Sequence, residues 1–121
     1  IRLWGIDAFE GGQECIKNGI AYPCGDWARA ALIDFTKQKK LDCKAMNIDQ
    51  YGRAVSRCRV EGKDLGAIMV KSGYALEYRR YSRGFYRQQE QEAKDSGRGV
   101  WGYSFEFPWT WRHQHLKNQE K

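Results

Sequence analysis

Residues 41–60, LDCKAMNIDQYGRAVSRCRV, decide the fold. LDCKAMNI and RAVSRCRV each read as a strand, and the polar NIDQYGRAV segment between them reads as the turn of a hairpin, with Gly52 supplying a positive-φ position. A turn centred on Gln50 and Tyr51 sets Cys43 directly across from Cys58. Opposed residues of an antiparallel pair hold their Cβ atoms about 4.5–5.5 Å apart, within reach of a disulfide at a non-hydrogen-bonded pair. The other two cysteines, Cys15 and Cys24, bracket IKNGIAYP and are left to pair with each other. A zinc site is the alternative use of four cysteines, but no C-x-x-C spacing is present. Two disulfides in a short chain point to a secreted or periplasmic protein.

Working outward, residues 1–7 alternate like a strand that ends near Asp7, and residues 9–25 read as a loop. Trp27, Ala28, Ala31, Leu32 and Phe35 follow helical spacing, which predicts a helix from Asp26 to about Gln38 capped by Asp26 or Gly25. DLGAIMVKSG predicts a second helix with Asp64 as its cap, Leu65, Ile68 and Met69 on one face, and Gly73 just past its end. YALEY is a brief strand, and Ser82 is placed to cap a third helix running to about Gly97. Trp4 and Trp27 are expected in the core. Trp101, Trp109 and Trp111 are expected to pin a C-terminal tail, residues 109–121. The 121 residues suit one hydrophobic core and therefore one domain. Short strands curled around a helix, with two more helices behind, suggest an α+β fold built on a small β-barrel of the OB type, a fold that binds oligonucleotides across an exposed face.

The net charge is +6. Residues 71–87 carry Lys71, Arg79, Arg80, Arg83 and Arg87 against Glu77 alone, interleaved with Tyr74, Tyr78, Tyr81, Phe85 and Tyr86. Cations set among stackable rings suit a phosphate backbone and its unpaired bases, and equally an ordinary solvated face with aromatic anchors. No stretch approaches the roughly 20 apolar residues of a membrane span, so no membrane partner is expected. His113 and His115 have the spacing of metal ligands but lack a third.

Four segments, RLWGIDAFE (2–10), DQYGRAVSRC (49–58), DLGAIMVKSGYA (64–75) and GRGVWG (97–102), together resemble the staphylococcal nuclease family, in order and over most of the chain. ECIKNGIAYPCG, YRRYS and PWTW resemble its exported, disulfide-bearing bacterial branch, some of whose proteins serve exopolysaccharide (succinoglycan) biosynthesis instead. The resemblance implies an OB-fold barrel with three helices that hydrolyses phosphodiester bonds of DNA and RNA with calcium. By position it implies Arg2 and Arg53 as the two phosphate-binding arginines and Glu10 as the general base. Asp7 and the backbone carbonyl of Ala8 fall at calcium-ligand positions, and Tyr51, Tyr78, Arg79 and Tyr81 on the substrate side. Single-stranded or unpaired DNA or RNA is the expected partner.

These residue types suit that chemistry. A guanidinium donates paired hydrogen bonds to phosphate oxygens and stays charged, a hard cation takes carboxylate and carbonyl oxygens, and a carboxylate can deprotonate water. Strict alternation would set Arg2 and Asp7 on opposite faces, so the strand must bend near Gly5 for them to share a site. The family's upstream calcium-ligating aspartate has no counterpart here, so the expectation is a barrel without its first strand or strands and with impaired hydrolysis; the alternatives are a non-catalytic module of the same family that binds nucleic acid or protein, and an accessory protein of exopolysaccharide (succinoglycan) biosynthesis. The edge left uncovered would offer a route to self-association. Ala8-Phe9 replaces the usual Thr-Pro between the two acids.

Overall fold

The computed structural model of the chain describes residues 2–119, with side chains to residue 115. It is an α+β fold of the OB-like kind, with its strands in three small sheets. The largest has the long hairpin at its centre: β5 (Leu41–Ile48) pairs with β6 (Ala54–Val60), placing Cys43 opposite Cys58 in a disulfide. The turn is offset from its expected centre. Met46 bulges, the register slips by one after Ala45, and the Asp49 carboxylate accepts hydrogen bonds from the Tyr51 and Arg53 amides. The slip falls beyond Cys43 and leaves the cysteine pairing intact. On the other side of β6 lies β1 (Arg2–Leu3), parallel to it, together with β7 (Lys63–Asp64). β5 is the outer strand of this sheet and is solvent-exposed along its whole length.

β2 (Ile6–Ala8) pairs with β8 (Ala75–Glu77) in a second sheet. The third sheet, β3 (Cys15–Lys17) with β4 (Ile20–Tyr22), lies where the sequence reading expected only loop. Asn18 and Gly19 both have positive φ, 53° and 77°, the two-residue turn that joins tight hairpins. The Cys15–Cys24 disulfide closes this unit onto α1 (Cys24–Thr36). Each bridge closes a short loop and contributes on the order of 3 kcal/mol.

The helices differ from expectation in number and in ends. α1 starts two residues early, at Cys24, and has no side-chain cap. α2 (Leu65–Lys71) is as read, with the Asp64 carboxylate accepting from the amides of Gly66 and Ala67. The expected third helix is two: α3 (Arg79–Ser82) and α4 (Arg87–Ser96). Ser82 caps nothing, because its hydroxyl donates to Glu77 at 2.7 Å; Arg83 and Gly84, at φ 52° and 94°, break the helix there. The expected tail is a helix as far as it is described, α5 (Pro108–Gln119), and residues 120 and 121 lie outside the described residues. Proline at its first position lacks only an amide that would have no helical partner. The count is therefore five α-helices among the described residues, not three.

Two clusters form the core. Phe9, Leu76, Ala28, Val100 and the Cys15–Cys24 pair make one, with Trp27, Trp101 and Trp109 against it. Ile6, Met69, Val70, Ala75 and Tyr86 make the other, with Trp4 alongside. Tyr86, 1% exposed, donates its hydroxyl to Asp64, which also pairs with Arg57 at 3.1 Å. Burial, and then the hydrogen bond to Asp64, raise the Tyr86 phenol above its ordinary 10.0. The unfolded chain ionises this group near pH 10 while the folded chain holds the proton to higher pH. The stability it supplies is therefore complete below about pH 10 and is lost as pH rises beyond. Tyr86→Phe should cost about 1.5–3 kcal/mol at pH 7, as for a hydrogen bond to a charged group. Its unfolding midpoint should then fall less steeply above pH 10 than that of the wild type; parallel curves would refute the assignment.

Candidate active site

Arg2 belongs to the first sheet and Asp7 to the second, and Gly5 is where the chain crosses between them. Arg2 pairs with Val55, and the Trp4 amide donates to the Ser56 carbonyl at 2.9 Å. Gly5 then takes φ 75°, its carbonyl accepts from the Tyr78 amide at 2.9 Å, and β2 begins. A Cβ here would lie 3.0 Å from Ser82 Cβ and 3.2 Å from the Tyr86 ring. The bend the sequence required is present.

Beside this bend runs an open groove of about 320 Å³, lined among others by Arg2, Asp49, Tyr51, Tyr78, Arg80 and Tyr81. Tyr51 and Tyr81 are 72% and 52% exposed. Three tyrosines and one arginine named from the sequence thus share one surface. Arg53 is not among the lining residues. Its Nε donates to Asp49 Oδ2 at 2.8 Å and its guanidinium sits 5.5 Å from the Tyr51 ring centre, which places it at the rim. Arg79 is not among the lining residues either, and its Nε lies 3.8 Å from the Glu77 carboxylate; its neighbour Arg80 lines the groove instead. Glu77 organises this region. Fully buried, it accepts from the Ser82 hydroxyl and the Tyr86 amide and so fixes the end of α3, the helix that carries Arg80 and Tyr81, and the turn into α4.

The acids lie along β2 and just past it. Asp7 is 5% exposed, opposite Leu76, and Ala8 follows it opposite Ala75. Glu10 is held through its backbone by Gln13, which is fully buried. The Glu10 amide donates to Gln13 Oε1 at 3.2 Å, and the Gln13 amide donates to the Glu10 carbonyl at 2.9 Å. Gln13 Nε2 reaches the Glu106 carbonyl at 2.8 Å, tying this loop to the start of α5. Asp7 and Glu10 do not line the groove. They converge on a third group, the Arg112 guanidinium of α5. Its Nη1 and Nη2 donate to the two Asp7 oxygens at 3.2 and 2.9 Å, and Nη1 also donates to Glu10 Oε1. The hydrogen bonds to Asp7, against the cost of burial and helped by Glu10, raise the Arg112 pKa further above its ordinary value. Groove and acid pair are linked by Ile6–Asp7 and by Tyr78, which lines the groove and stacks on Trp109 of α5 at 5.1 Å and 9°.

Calcium is the cation the resemblance implies. Asp7 and Glu10 present hard oxygen donors, but both Asp7 oxygens already accept from Arg112. Among the described residues no group of three His, Cys, Asp or Glu side chains is placed to hold a metal. Calcium takes roughly six to eight oxygens. The acid pair as folded does not fit the ion on its own.

An OB-like α+β fold with an arginine- and tyrosine-lined groove beside an acid pair is what the chain presents. The family described as "Staphylococcal nuclease homologue" matches residues 1–103, and the chain belongs to it. Among curated proteins, it is 34% identical over 104 residues to the "Succinoglycan biosynthesis protein ExoI" of Rhizobium meliloti, covering 84% of this chain and 54% of that protein. It is 31% identical over 114 residues to the "Probable staphylococcal-like nuclease CAN2" of Oryza sativa, covering 93% and 28%. It is also 30% identical over 121 residues to the "Probable endonuclease LCL3" of Schizophyllum commune, covering 84% and 39%. The chain spans about half the length, or less, of these relatives. No helix among the described residues is long and apolar enough to cross a membrane.

Proposed function

We propose that the chain is a nuclease domain that hydrolyses phosphodiester bonds of single-stranded or unpaired DNA or RNA. The observation that carries this is the groove in which Arg2 and Arg80 stand among Tyr51, Tyr78 and Tyr81, with Arg53 at its rim. Guanidinium groups bind the non-bridging oxygens and the rings stack unpaired bases. In hydrolysis the water oxygen bonds to phosphorus, the opposite ester P–O bond breaks, the water proton passes to a base, the role proposed for Glu10, and the departing ester oxygen takes a proton from solvent. Nuclease-named relatives support the same reading. Family membership supports calcium as the cation of the reaction, with Asp7 and the Ala8 carbonyl as donors in a larger set. Two disulfides support an oxidising compartment, outside the cell or in a periplasm; reactive thiols in the unreduced protein would remove that support. The exposed outer strand β5, where Leu41, Met46 and Ile48 face solvent, supports pairing with a second copy, tested by the concentration dependence of sedimentation.

The test is incubation with a labelled single-stranded oligonucleotide in calcium and, separately, in chelator. Cleavage only with calcium is expected. A second reading, service in succinoglycan production, is favoured by the relative named for it, and a groove of tyrosines also suits sugar rings. Low-salt binding separates the two, because a phosphate-reading groove binds the oligonucleotide most tightly there. A chain that binds the polysaccharide and ignores the oligonucleotide would favour the second.

A further inference from the structure

We propose that Phe107 is a base-stacking platform, a subsite that takes an unpaired base of the same single-stranded nucleic acid whose neighbouring nucleotides occupy the arginine–tyrosine groove. The inference deepens the reading above and rests on it. It concerns a ring beyond residues 1–103, the segment that the family matches.

Three observations carry it. The first is continuity. Tyr78 lines the groove, stands edge-to-face with Tyr81 at 5.2 Å, and stacks on Trp109 at 5.1 Å and 9°. Trp109 in turn stacks on Phe107 at 5.0 Å and 23°. Tyr81, Tyr78, Trp109 and Phe107 therefore form one track of rings that starts in the groove and leaves it at the head of α5. The second is where the track opens. Trp109 is half-buried and packs against the first core cluster, whereas Phe107 is 50% exposed. A lone exposed phenylalanine needs no explanation. One that ends a near-parallel stack offers a flat apolar face in line with the rings before it, the geometry in which a base extends a stack. Trp109 covers one face of Phe107, so the base takes the other. The third is rigidity. The Phe107 carbonyl accepts from the Trp111 amide at 3.0 Å, the next residue is the buried Pro108, and the Glu106 carbonyl before it accepts from Gln13 Nε2. A ring on so fixed a backbone loses little further freedom when a ligand binds. Charge selects the occupant. The track begins beside Arg2 and Arg80, and the Arg80 guanidinium lies 5.9 Å from the Tyr81 ring centre. A polyanion that carries stackable bases uses both the cations and the rings, where sugar rings would need only the aromatic faces.

The experiment measures Kd by fluorescence anisotropy, in chelator so that no strand is cut. It compares the full chain with its Phe107→Ala, Phe107→Leu and Phe107→Trp variants on labelled oligothymidylates of increasing length, from a dinucleotide to about ten nucleotides, the span of a single OB-fold site. One base stacked on a protein ring is worth roughly 5- to 100-fold in affinity by alanine substitution. Phe107→Ala should therefore match the wild type on the dinucleotide and fall at least about fivefold behind it on the longest strand. Phe107→Leu should behave like Phe107→Ala, and Phe107→Trp should bind the longest strand at least as tightly as the wild type. Phe107→Ala should leave the slope of log affinity against log salt unchanged, whereas Arg80→Ala should flatten it by about 0.7, the share of one phosphate on a single strand. A Phe107→Ala affinity within about twofold of wild type on the longest strand overturns the proposal. So does a deficit equal at every length, which would mark a change in the fold. A wild-type chain that binds no oligonucleotide at low salt refutes the nucleic-acid reading of the groove and the subsite with it, whereas wild-type binding that Phe107→Ala leaves intact removes the subsite alone. A chain that ignores every oligonucleotide but holds succinoglycan through Phe107 makes the ring a sugar platform, and overturns the proposal as to its occupant.

Discussion

Replacing Arg2 with alanine should lower oligonucleotide cleavage by about 100- to 1,000-fold, the usual effect of removing one preorganised donor to a developing oxyanion and equivalent to about 3–4 kcal/mol. The expectation follows from how the side chain is placed. Arg2 sits on a strand whose backbone is fixed to β6 through the Arg2–Val55 and Leu3–Ser56 pairs, and it projects into the tyrosine-lined groove from this rigid base. Arg53 stands differently. It lies at the rim, half-exposed and paired with Asp49 at 2.8 Å, so part of its charge is already spent on a neighbour. Arg53→Ala should therefore cost less than Arg2→Ala. The check is kcat/KM for both variants at matched thermal midpoints; an Arg2→Ala protein that cleaves at the wild-type rate would mean that the groove binds no scissile phosphate.

Gly25→Ala should destabilise the fold by about 3 kcal/mol, the upper end of what overpacking costs, because there is no room for the added methyl. A Cβ at position 25 would lie 1.7 Å from the Glu10 carbonyl oxygen and 2.8 Å from its carbon. Neither side can easily give way. The Gly25 amide donates to the Gln13 carbonyl at 2.9 Å at the first turn of α1, beside the Cys15–Cys24 bridge, and Gln13 is itself bonded to Glu10 and Glu106. Relief by moving Glu10 would shift the proposed base, so cleavage should fall together with stability. Gly11→Ala is the control: a Cβ there meets nothing within 4 Å. The urea midpoint measures both. Equal midpoints for the two variants would show that the Glu10–Gln13–Gly25 contact is looser than described.

What could be read from the sequence was what short range determines. The Cys43–Cys58 pairing survived a misjudged turn because the bulge at Met46 falls beyond it. Asp64 caps α2 through its own next residues, and the bend at Gly5 is what a shared site for Arg2 and Asp7, implied by the family resemblance, asks of an alternating strand. Two elements that the sequence reading leaves as loop and tail do carry local signals: Asn18-Gly19 is the dipeptide of a tight hairpin, and Pro108 before a run of helix-compatible residues marks a helix start. Other features had no local signature. Nothing near Arg112 in sequence distinguishes it from a solvated basic residue of a polar tail, since its partners lie more than 100 residues earlier. Gln13 reads as loop polarity until its four hydrogen bonds, to Glu10, Gly25 and Glu106, are seen together. Glu77 reads in the sequence as one charge set against five, yet it is a buried acid that anchors the end of α3, the helix on which Arg80 rather than Arg79 lines the groove.

The central claim is that the acid pair on β2 and the arginine–tyrosine groove beside it act together on one phosphodiester. Single-turnover cleavage of a labelled single-stranded oligonucleotide, measured with its binding affinity for the wild type and for Glu10→Gln, tests this most directly. The account predicts affinity within about threefold and a cleavage step slowed at least about 100-fold by loss of the base. Equal cleavage rates for the two proteins would contradict it.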